Sequence, residues 1–132
     1  MHLETIISHT HIMTENVKKL IETAVKGIQE KKGCSINIVD MEGMDGAICQ
    51  AFVVCEGNSP SQVSAIADSV EETMRKELKE KPVRTAGLEN AIWVAMDYVD
   101  VMVHIFLPDA RDFYNLEALW QDAAITEVPD ID

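Results

Sequence analysis

Basic residues are nearly absent from the last part of this chain. Residues 85–132 hold ten Asp and Glu but a single Arg or Lys, Arg111, so they carry −9 of the formal −12 charge of the 132 residues. Gripping a phosphate backbone needs Lys and Arg to displace counterions, so no direct sequence-specific nucleic-acid binding is expected. A basic partner is favoured instead, including a basic protein that itself sits on nucleic acid. The plainer use of such acidity is solubility. Long apolar runs are missing too, which leaves no candidate membrane span and no membrane partner. The first residues, MHLETIISHTHIM, have no early Lys or Arg and no long apolar centre, so they do not read as a signal or transit peptide. The three cysteines, Cys34, Cys49 and Cys55, are odd in number and contain no Cys-x-x-Cys pair. They read as reduced thiols used as small apolar side chains, which favours the cytoplasm. No internal repeat or low-complexity tract is visible.

What is present is enough for one compact core. Hydrophobic residues make up 47% of the chain, and 132 residues suit a single domain. Thr14 can cap a helix in which Val17, Leu20, Ile21, Ala24, Val25 and Ile28 form one stripe, closed by Gly33. Two strands follow, Cys34 to Met41 and Ile48 to Cys55, split by the turn residues EGMDGA. Ser59, Pro60 and Gln62 make a capping box for a second helix, which runs to Pro82. Ala91 to Met96 and Val99 to Leu107 are a tightly joined strand pair. On the first, Trp93 and Ala95 point away from Val94 and Met96; on the second, Asp100, Met102, His104 and Phe106 share one face. Asp109 caps a last helix whose stripe is Phe113, Leu116, Leu119 and Trp120, turned to the core. The expected class is α/β: a single mixed β-sheet flanked by helices, in α-β-β-α-β-β-α order. Residues 1–13 are an N-terminal extension, 14–123 the domain, and 124–132 an acidic, frayed C-terminal tail.

The familiar catalytic patterns are lacking. There is no GxxxxGK[ST] and no GxGxxG. A Gly-Ser loop before a helix, EGNS, suits a nucleotidyltransferase, but that chemistry needs an Asp-x-Asp pair on the next strand, and KPVRTAGLENAIW has none. His9-x-His11 has no further ligand at metal spacing. His104 and Asp100 are four apart on one strand face, about 13 Å by strand rise, too far for a base and its orienter. Ser59 is accounted for as a cap. Cys49 and Cys55 have no activating neighbour in sequence. No catalytic residue, cofactor or metal is therefore expected. Trp93, Asp97, Tyr98, Asp100, Arg111 and Tyr114 read instead as a recognition surface, because Trp, Tyr and Arg are favoured interface anchors. Plain core packing is the alternative for Trp93, and an internal ion pair the alternative for Arg111.

GNSPSQVSAIAD, GLENAIWVAMDYVDVMVHIF and ARDFYNLEALWQDA resemble the ribosomal silencing factor family, RsfS, also called Iojap. The resemblance runs from about Val17 to Ala123. It implies an α/β sandwich related to nucleotidyltransferases but without their catalytic acids. It implies a non-enzymatic protein that binds the large ribosomal subunit through large-subunit ribosomal protein fourteen, blocks subunit joining and represses translation, and that can self-associate. The alternatives are a nucleotidyltransferase-like enzyme and a homodimeric scaffold without ribosome binding. Three places depart from the family pattern. Gln50-Ala51 stands where an Asp-Tyr-like pair is usual, Ala86-Gly87 where Glu-Gly is usual, and Val99 where a Gly is usual. A β-branched residue dislikes positive φ, so the 97–100 turn is expected to keep φ below zero.

Overall fold

The structure is a computed structural model that describes residues 14–44, 46–120 and 122–131. The readings for residues 1–13, His9 and His11 included, lie outside the described residues, as does that for the side chain of Trp120.

Helix α1 spans Glu15–Glu30, and the Thr14 hydroxyl accepts from the Val17 N–H at 3.2 Å. Strand β1 (Cys34–Asp40) turns back as β2 (Ala51–Glu56). Helix α2 (Pro60–Leu78) opens on Ser59, whose hydroxyl accepts from the Gln62 N–H at 3.1 Å. The Gln62 side chain accepts from Asn58 N–H and donates to the carbonyls of Lys31 and Lys32, so one residue ties the start of α2 to the end of α1. The two helices cross closely at Gly27, where an added Cβ would lie 2.8 Å from Val70 Cα. The buried Ser69 hydroxyl donates to the Gly27 carbonyl at 2.7 Å at the same crossing.

The remaining elements are β3 (Arg84–Ala86), β4 (Trp93–Asp97), β5 (Val101–Phe106), α3 (Pro108–Tyr114), a 3₁₀ turn (Leu116–Trp120) and β6 (Ala124–Val128). Six strands form one mixed sheet in the order β3-β4-β5-β2-β1-β6. The central β2–β5 pair is parallel and the other pairs are antiparallel. The expected α/β class and helix-flanked mixed sheet are therefore observed, with β3 and β6 added at the two edges. Helices α1 and α2 cover one face. Ile21, Ile28, Val53, Ile66, Val70, Val94, Met96, Val103 and Ile105 meet there in the main core.

Four local expectations are corrected. Strand β2 begins at Ala51, not Ile48, which is 69% exposed in the turn. The last helix starts from Leu107 with no side-chain cap, and Asp109 falls within its first turn. That helix ends at Asn115 (φ 46°) and continues as a 3₁₀ turn, which breaks the 3.6-residue phase. Leu116 still packs inward, but Phe113 and Leu119 project outward, 80% and 73% exposed. Residues 124–128 are not frayed. They pair with β1, bury Val128, and satisfy backbone groups that β1 would otherwise expose as an edge. The Asp130 carboxylate fixes the exit by accepting from Ser35 N–H at 2.9 Å.

Candidate functional site

The second face of the sheet is only partly covered. Strand register places Ala86 beside Ala95, Ala95 beside His104, Trp93 beside Phe106, and Asp97 beside Met102. Phe52 and Val54 continue this face on β2. Helix α3, the 3₁₀ turn and the 41–49 loop bury Phe52, Val54 and Phe106. Among the described residues nothing comparable closes the sheet over β3 and β4: Trp93, Ala95 and Asp97 are half-buried and Ala86 is exposed. Small side chains at Ala86 and Ala95 leave a shallow strip beside the Trp93 ring.

Trp93 anchors one end of that strip. Its ring stacks on Phe106 (centroids 4.9 Å, 23°) and meets Tyr114 at 4.8 Å. Tyr114 in turn takes Phe113 edge-on at 5.1 Å. The Trp93 indole N–H donates to His104 Nδ1 at 3.0 Å. His104 is 4% exposed, and burial lowers its pKa to about 4, so the ring is neutral at physiological pH. The main chain at Trp93 is held closely as well. Gly87 has φ 93°, and a Cβ there would lie 2.0 Å from the Trp93 carbonyl oxygen.

The other sequence-selected residues divide. Asp97 lies on the same face as Trp93 but at the opposite end of β4, so the hairpin turn and the aromatic cluster do not coincide. The Asp97 carboxylate accepts from Val99 N–H at 2.8 Å, and Asp100 N–H donates to the Tyr98 carbonyl at 2.9 Å. Val99 between them has φ 73°. This is a γ-turn with positive φ on a β-branched residue, contrary to expectation: the two hydrogen bonds and the closure of β4 onto β5 impose it. Asp100 is half-buried, with its carbonyl taking Gln50 N–H and Ala51 N–H. Tyr98 is 4% exposed in the main core, and desolvation raises its pKa. Arg111 is 9% exposed and realises the internal ion-pair alternative. It donates to both Glu117 carboxylate oxygens at 3.0 Å each, to Glu56 at 3.0 Å and to the Ser35 carbonyl at 2.6 Å. Asn37 also donates to Glu117. Of the six residues, the structure brings Trp93 and Tyr114 together at a surface.

Sequence reading missed His104 as the partner of the indole. It placed His104 on the correct face, but the β4–β5 register that sets it diagonally next to Trp93 has no local signal.

Among the described residues, no activated cysteine stands near this face. Burial pushes the Cys49 thiol up to about 11 and raises Cys34 and Cys55 as well. Among the described residues, no group of three or more His, Cys, Asp and Glu could hold a metal ion, and no helix is long and apolar enough to cross a membrane.

Residues 14–132 match the family described as ribosomal silencing factor during starvation. The chain belongs to the ribosomal silencing factor family. It is similar to ribosomal silencing factor RsfS of Halalkalibacterium halodurans, 38% identical over 111 residues, 84% of this chain and 93% of that one. The Bacillus subtilis factor is 35% identical over 113 residues, 86% and 94% of the two chains. A crystal structure of a Chromobacterium violaceum protein superposes with a TM-score of 0.75 at 34% identity, covering 80% of this chain and 86% of that one. In this silencing-factor chain the family match includes β6, so the edge strand belongs to the matched region.

Proposed function

We propose that this chain acts without catalysis, by docking on the large ribosomal subunit through large-subunit ribosomal protein fourteen and so blocking the small subunit. The half-covered strip over β3 and β4 is the docking face. Trp93 is its anchor, with Tyr114 and Phe113 beside it and Asp97 at its far end. One observation carries this reading: Trp93 is half-buried on the partly covered face, next to small residues, while its neighbours Val94 and Met96 fill the main core. A large ring beside a shallow strip of small residues suits an interface anchor. The exposed Asp109 and Asp112 on α3 add acidic groups around Phe113, which suits a basic ribosomal protein. Tyr98 and Arg111 support the face from within. Family membership, this orientation and the charge support the reading.

Sedimentation with purified subunits tests it. The chain is expected to travel with large subunits and to stay at the top of the gradient with small ones. Equal association with both, or with neither, would contradict the proposal.

A further inference from the structure

Tryptophan at an interface commonly offers two things, an apolar ring and a hydrogen-bond donor. In this chain the donor is already used. The Trp93 indole N–H points into the protein and ends on His104 Nδ1 at 3.0 Å. A nitrogen that accepts carries no proton, so His104 holds its own proton on Nε2. Among the described residues that second nitrogen is buried without a hydrogen-bond partner, and the imidazole lies edge-to-face against Phe52 at 4.6 Å. The imidazole is thus walled in and presents one acceptor in one direction. Phe106 and Tyr114 limit the Trp93 ring from two further directions.

We propose that His104 is the positioning residue of the docking face: it draws the Trp93 N–H inward, fixes the ring, and leaves only carbon surface for the partner. This rests on the docking proposal above. It specifies the chemistry of the opposing surface: aliphatic side chains or the methylene stems of lysines, with no acceptor aimed at the indole. Fixing the ring before binding removes an ordering cost that a free side chain would pay on association.

Asn and Leu have nearly the same shape, but Asn carries an oxygen close to where Nδ1 stands. His104→Asn and His104→Leu therefore separate the acceptor from the bulk. Two quantities are read: the indole N–H resonance of Trp93 in 15N-labelled protein, and affinity for purified large subunits. His104→Asn should keep the hydrogen-bonded indole shift and the parent's affinity. His104→Leu should lose the shift and bind about fivefold to tenfold more weakly, the worth of one hydrogen bond. If His104→Leu binds like the parent while Trp93→Ala does not, positioning by His104 is wrong and docking through Trp93 stands. If Trp93→Ala also binds like the parent, docking at this face is wrong, and this inference falls with it. Should His104→Leu fail to fold, the Trp93 indole can be replaced by its benzothiophene analogue, which has sulfur in place of N–H. The same weakening is then expected, and unchanged affinity would overturn the proposal.

Discussion

At the scale of single residues, the buried histidine makes stability depend on pH. The folded-state pKa of His104 is about 4, below the ordinary value of 6.5, because burial disfavours the charged ring. The unfolded chain therefore binds the extra proton first as pH falls, and the stability held above pH 6.5 is lost on the way down. Between pH 7 and 5 the loss attributable to this residue is about 2 kcal/mol, taking 1.36 kcal/mol per unit below the unfolded value. Denaturant melts of the parent and His104→Asn at both pH values measure it. The parent should lose its advantage over the variant at the lower pH, and a pH-independent difference would contradict the assignment. Val99 is the second residue-scale case. Its φ of 73° is costly for a β-branched side chain, and it is 60% exposed, so its bulk contributes little packing. Val99→Gly is expected to stabilise the fold by about 1 kcal/mol, because relief of the positive φ outweighs the added chain entropy. A lowered denaturation midpoint would show that the side chain contributes packing after all.

At the scale of elements, a short helix and a 3₁₀ turn would be marginal alone, and Arg111 seats them. It links α3 to the 3₁₀ turn through Glu117 and to the sheet through Glu56 and Ser35. The pairs are largely buried, with side-chain exposures of 10% for Arg111 against 19% and 18% for Glu56 and Glu117. Removing the cation leaves two carboxylates facing each other with little water, so Arg111→Ala should cost about 3 kcal/mol in an unfolding titration. Arg111→Lys should recover little of that, because a lysine cannot make the two-pronged contact with Glu117. Full recovery by lysine would mean that charge alone matters.

Much of this level was legible in the sequence. The two long helices declared themselves by stripe and cap, and the alternation on β4 was enough to place Trp93 on the sheet face opposite Val94 and Met96. The rest depended on partners far apart in sequence. Glu56 is 55 positions from Arg111 and Ser35 is 76, so an arginine fit for an interface and one fit for a buried network look alike. Residues 124–128 lack a strong strand pattern, and it is the open edge of β1 that makes them a strand. Asn115 ends α3 early, and a helical stripe continued past that point placed Phe113 in the core wrongly.

At the scale of the whole molecule, helices α1 and α2 and the proposed docking face lie on opposite sides of one sheet. Helices α1 and α2 cover one side with the main core, and the other side is left partly bare along β3 and β4. The lopsided charge belongs to the same division, since the acid-rich residues 85–132 include β4, all of α3 and all of β3 but Arg84. The central claim is that the Trp93 face, once occupied, keeps the ribosomal subunits apart. Light scattering of purified large and small subunits, mixed with the parent chain or with Trp93→Ala, tests this most directly. The ring is only half-buried, so the variant should fold, with a stability loss below the roughly 3–5 kcal/mol of a core aromatic. The parent is expected to suppress subunit joining, and folded Trp93→Ala to restore it to the level seen without added protein. Suppression by the variant at the parent's concentration, or none by the parent, would contradict the claim.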